Sequence, residues 1–99
     1  MLGCTVELKS EDKEFLKNVI SVYISTLKES SKPLYEMTLR KLNNQKIFVD
    51  GIYMRCMEIS LLAHSKTQSG RHQNKCIELA ENIRKIREDF QMNAMARLF

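Results

Sequence analysis

Ile47-Phe48-Val49-Asp50-Gly51-Ile52-Tyr53-Met54 carries two contradictory instructions. Asp-Gly between β-formers is the strongest short hairpin signal, because both residues accept the positive φ of a tight turn. Yet Tyr35, Leu42, Val49, Cys56 and Ala63 recur every seven residues straight across Gly51, with Leu39, Ile52 and Ile59 between them. A turn has no reason to preserve a helical phase, and a helical glycine costs only about 1 kcal/mol relative to alanine. The reading adopted is one long helix over 33–65. The alternative is an α+β fold with a hairpin at Asp50-Gly51, whose strands could also pair with the N-terminal segment.

Upstream, Pro33 suits the first position of such a helix, since it lacks an N–H and disfavours helical geometry at Lys32. Before it, Leu16, Ile20, Tyr23 and Leu27 follow the i, i+4, i+7, i+11 rule, broadened by Phe15, Val19, Val22 and Ile24. Ser10 stands ahead of Glu11, Asp12 and Glu14, an N-cap with acids in the first turn. This predicts a helix over 10–29. In the first nine residues Leu2, Cys4, Val6 and Leu8 alternate with polar or small neighbours, the period of a half-buried strand. Downstream, Ser69-Gly70 ends one element, and Cys76, Leu79, Ile83, Ile86, Phe90 and Ala94 form the stripe of a helix over 71–97. The fold class expected is therefore mainly α. It is an antiparallel up-down-up bundle of about three helices in one domain, with a short extended segment at 1–9.

The chain of 99 residues is 43% hydrophobic and 28% charged, a globular balance and not a disordered one. Three widely spaced cysteines, Cys4, Cys56 and Cys76, do not make a disulfide framework and read as free thiols. No stretch approaches the ~20 apolar residues of a membrane span, and no basic leader precedes an apolar run. An intracellular location, in cytoplasm or nucleus, is expected, with no membrane association. The net charge of +4 is mild.

A single short bundle has more apolar surface here than it needs. On a continuous helix over 33–65, Phe48, Val49, Ile52, Cys56, Ile59 and Ala63 make one face, while Ile47, Met54, Met57 and Leu61 make a second. The C-terminal helix carries Ile77, Met92, Met95 and Phe99 off its main stripe. Contiguous apolar surface marks binding, and methionine suits adaptable contacts. The function expected is a non-catalytic protein–protein interaction module, a subunit or adaptor that meets a second copy of itself or another subunit. Ile47, Met54, Met57, Leu61, Met92, Met95 and Phe99 are its expected interface. The alternative is a small basic nucleic-acid-binding domain using Arg40, Lys41, Lys46, Arg71 and Lys75, although the two loops that carry these lie at opposite ends of an up-down-up bundle.

Catalytic and cofactor signals are sparse. No phosphate loop, dinucleotide fingerprint or base-activated nucleophile stands out, so neither an enzyme, a small-molecule substrate nor a cofactor is expected. His72 and Cys76, four apart, share a helix face at metal-ligand spacing. Cys56 and His64 belong to another element, and the loop would have to fold back to add them. A solvent-facing histidine and a buried cysteine, with no metal, are the expectation.

Overall fold

The computed structural model describes residues 3–98, in the order β1 (Cys4–Val6), α1 (Ser10–Ile24), α2 (Lys32–Leu42), β2 (Ile47–Val49), α3 (Gly51–Ser65) and α4 (Gly70–Leu98). The chain is mainly helical, as expected, but the long central helix does not exist. Four helices and a two-stranded sheet replace the three helices anticipated among the described residues.

Asp50 decides the matter. Its backbone is extended (φ −93°, ψ −178°), and its Oδ1 accepts the N–H groups of Ile52 at 3.1 Å and Tyr53 at 3.2 Å. That is an N-cap, and it satisfies two of the donors a helix start leaves free. The stretch is thus strand before Asp50 and helix after it. Ile47 and Val49 face the core while Phe48 points out. The strand pairs antiparallel with β1, in the register Cys4↔Val49, Thr5↔Phe48, Val6↔Ile47. The N-terminal alternation finds its partner here, with no hairpin turn at Asp50-Gly51.

The other boundaries have local causes. α1 stops at Ile24, short of 29, because the Ser25 and Thr26 hydroxyls donate to the Val22 and Tyr23 carbonyls. Such local bonds compete with continuation of the helix. Lys9, not Ser10, holds the position before its first turn, and Glu11 and Asp12 complement its dipole. α2 opens on Lys32 with Pro33 in its first turn and closes at Asn43, where the Asn43 and Asn44 N–H groups bond the Arg40 and Lys41 carbonyls. Gly70, at φ +63°, turns the chain into α4, a conformation that disfavours any side chain with a Cβ.

α3 lies at the centre, packed by α1, α2, α4 and β2. Its Met54, Met57 and Leu61 are fully buried among Leu16, Ile20, Leu42 and Ile83. α4 has 29 residues, and a helix of that length spans about 43 Å, the longest dimension of the molecule at 43 Å. Among the described side chains its buried residues end at Ile83; Ile86 and Phe90 are half-buried, and beyond them Gln91, Met92, Asn93, Met95 and Ala96 are exposed, so the helix overhangs.

Candidate apolar groove

The overhang of α4 forms one wall of a groove of about 790 Å³, with α2 and α3 forming the rest. Tyr35 and Cys56 make a buried floor, with half-buried Ile59 and Phe90 beside them. The rim is apolar and exposed: Leu34 at 42%, Ile52 at 61% and Met95 at 57%. Leu34 reaches the rim from the first turn of α2, which holds Pro33, and Ile52 from the first turn of α3, which the cap at Asp50 fixes.

The polar end of the groove is closed by Arg55, Arg87 and Gln91. Behind them lies Glu58, 2% exposed. Arg87 donates to both its oxygens, through Nε to Oε2 and through Nη2 to Oε1 at 3.2 Å, and Arg55 Nη1 adds a bond at 3.4 Å. A planar guanidinium matches a carboxylate in this forked arrangement. The hydrogen bonds to Glu58 hold the Arg87 guanidinium above its ordinary pKa, against the opposing effect of burial. Arg87 Nη1 also donates to Gln91 Oε1, at 3.5 Å.

The groove floor carries no poised nucleophile. Burial pushes the Cys56 thiol up, and hydrogen bonding to Thr38 and Tyr35 offsets only part of this. A thiol held away from thiolate is a small apolar surface. Burial, then the proximity of Cys56 and Tyr23, pushes the Tyr35 phenol up to about 12. It stays neutral, edge-on to the Tyr23 ring at 5.2 Å. The arrangement suits an apolar guest with one polar end.

The expected interface residues divide sharply. Ile47, Met54, Met57 and Leu61 are 3%, 0%, 0% and 0% exposed and cannot form a surface. Their assignment to an outer stripe assumed one helical phase from 33 to 65. The break between Asn43 and Asp50 resets that phase, places Ile47 on a strand and turns the three α3 residues inward. Met92, at 69%, and Met95 are exposed as expected, while Phe99 lies outside the described residues. Ile52, read from sequence as core, is the exposed wall instead. No single-sequence pattern marked Leu34, Ile52 and Phe90 as neighbours, because they come from three elements.

The basic residues are placed differently from the bundle expectation. Lys75 pairs with Asp12 at 3.2 Å and lies over the Phe15 ring, and Arg71 lines a depression with both. Lys46 lines another depression with Lys13, which donates to the Asn44 carbonyl at 2.6 Å. Asp12 and Lys13 are adjacent, so the two groups flank the start of α1 and do not sit at opposite ends. Lys41 lies over the Tyr53 ring, and Arg40 is exposed in the last turn of α2. The acidic first turn of α1 separates the groups, which breaks up any continuous positive surface. No helix is long and apolar enough to cross a membrane among the described residues. No family model, curated protein or solved structure matches the chain, and its functional reading therefore rests on this geometry.

Proposed function

We propose that the chain is a non-catalytic interaction subunit whose groove receives the overhanging part of α4 from a second copy. The observation that carries this reading is the exposed apolar rim of Leu34, Ile52 and Met95 around a groove large enough for side chains of a guest helix. Apolar grooves that take an amphipathic helix read its anchors at i, i+3 spacing, and Met92 and Met95 stand at that spacing on α4. In a two-fold pair the same patch serves both copies. The overhang that walls the groove in one copy then fills it in the other. Charge agrees with this pairing: Arg55 is exposed on the rim, and Asp89 is exposed on α4 just before the overhang.

The test is light scattering coupled to size-exclusion at rising concentration, with Ile52→Asp and Met95→Asp as the variants. A dimer is expected for the natural chain, and a monomer with unchanged circular dichroism for each variant. A natural chain that stays monomeric at millimolar concentration overturns self-association. Dimers that survive both substitutions move the interface away from the groove.

A further inference from the structure

At the far end of α3 from the groove, the chain folds back in a short connection over 66–69. The Thr67 and Gln68 N–H groups bond the His64 and Ser65 carbonyls. Gln73 Nε2 reaches the Ser65 carbonyl at 3.1 Å, which fastens the start of α4 to the end of α3. This return brings His64 Nε2 to 3.2 Å from His72 Nε2. Cys76 follows His72 by one helical turn, on the same face. The ligand atoms of His64, His72 and Cys76 all lie within 4.8 Å of one another.

We propose that His64, His72 and Cys76 form a zinc-binding site, with two imidazole nitrogens and one thiolate as ligands. Geometry is the first argument. Zinc takes imidazole nitrogen at about 2.0–2.1 Å in a tetrahedral shell, which sets two such nitrogens about 3.3 Å apart. The Nε2 pair already stands at that spacing. The same shell puts nitrogen and sulfur about 3.6 Å apart, from a zinc–sulfur bond of about 2.3 Å. The three ligand atoms lie within 4.8 Å of one another, so Sγ needs to draw in by no more than about an ångström.

The surroundings hold the ligands in place. Phe15 packs against the His72 ring at 5.0 Å and limits its motion. The nearby Lys75 ammonium is held by Asp12, at 3.2 Å. Cys76 is fully buried. A cysteine binds metal as thiolate, so binding displaces its proton: the thiol and the dication give a zinc–thiolate bond and one released H⁺.

Three protein ligands leave one tetrahedral corner. His72 is exposed, so that corner opens toward solvent and takes a water or a donor from a bound molecule. This is the ligand count of zinc sites that keep an exchangeable position, in contrast to the four protein ligands of closed structural sites.

The test is titration of the purified, reduced chain with zinc against a chromophoric chelator, then with cobalt(II) as a spectroscopic substitute. One equivalent should bind, and the cobalt form should show a thiolate-to-metal charge-transfer band. His64→Gln and His72→Gln should each weaken zinc by more than about a hundredfold, beyond the effect of lost outer-shell support. Cys76→Ser should abolish the charge-transfer band; because Cys76 is buried, His72→Gln, on an exposed ring, supplies the comparison that does not depend on refolding a core variant. Binding that His72→Gln leaves unchanged overturns the site. So does a cobalt spectrum without thiolate character in the folded natural chain, or no competition for zinc at micromolar concentration.

Discussion

From its Asp50 cap to its middle, α3 is held by polar groups that complete one another. Asp50 accepts two backbone N–H groups of α3 itself, and in mid-helix the buried Glu58 is forked by Arg87 of α4 and touched by Arg55. At its Ser65 end, His64, His72 and Cys76 converge on one another, and the two histidines share a single N···N contact. Both clusters bridge α3 and α4, yet only the first satisfies its members internally. The Glu58 carboxylate is matched by the Arg87 fork, and the charge of Arg55, whose side chain is exposed, is left to solvent, so the buried pair needs no further ion. Two imidazoles and a thiol are all lone-pair donors once deprotonated, and they gain most from a cation. The first cluster thus fastens the helices together, and the second is suited to receive something.

The largest effect should come from breaking the completed cluster. Arg87→Ala leaves Glu58 buried without its fork, and breaking one side of a buried pair costs about 3–5 kcal/mol. Urea denaturation of the variant measures it. Glu58→Met combined with Arg87→Met should recover most of the loss, because apolar replacement of a whole buried pair is often neutral. A loss below about 1 kcal/mol for Arg87→Ala would be the mark of a solvated surface pair and would erase the contrast between the two clusters.

Tyr35, on the groove floor, offers a second measure of how closed that side is. An unfolded tyrosine loses its proton near 10, whereas burial holds the native phenol to about 12. Between these values the native state binds more protons, so stability falls as pH rises. The contribution is intact below pH 10, and the loss by pH 12 should reach about 2–3 kcal/mol. Tyr35→Phe removes this slope. Denaturation of both proteins across that alkaline range checks it, and equal slopes would mean that water reaches the phenol.

Asp50→Ala should cost about 1 kcal/mol, the ordinary effect of removing a helix cap, read from the same urea curves. Because the cap also sets the rotation of α3, the variant should weaken self-association through Ile52 more than its stability loss alone explains.

The sequence was informative wherever one period ran unopposed. The helical stripes of α1 and α4 and the alternation of Cys4 and Val6 each report a single environment, and the exposure of Met92 and Met95 followed from them. The middle of the chain misled because Leu42, Val49 and Cys56 keep a seven-residue spacing across three different elements. A three-residue strand is too short to register its own period against that. The Asn43-Asn44 pair, suited to a turn, was the local signal of the break. Once α3 is free to rotate, Met54, Met57 and Leu61 go inward and Ile52 outward, and no one-dimensional projection could assign those faces. The His64 cluster was only half visible. The His72–Cys76 spacing is written in α4, but the arrival of His64 depends on a loop reversal that uses the positive φ of Gly70.

The smallest effect is the most discriminating for the stretch that divides strand from helix. In a hairpin turn Gly51 would hold a positive φ, and alanine there would be strained. In this fold Gly51 is the first residue of α3, and positive φ among the described glycines belongs to Gly70. A Cβ added at Gly51 meets only Gln91 Nε2, at 3.7 Å, an ordinary contact with the end of a flexible side chain. Gly51→Ala should therefore stabilise the chain by about 0.4–1 kcal/mol, mainly by narrowing the conformations open to the unfolded state. A thermal melt resolves the sign. Destabilisation would restore the turn at Asp50-Gly51, and with it would go the rotation of α3 that places Ile52 on the groove.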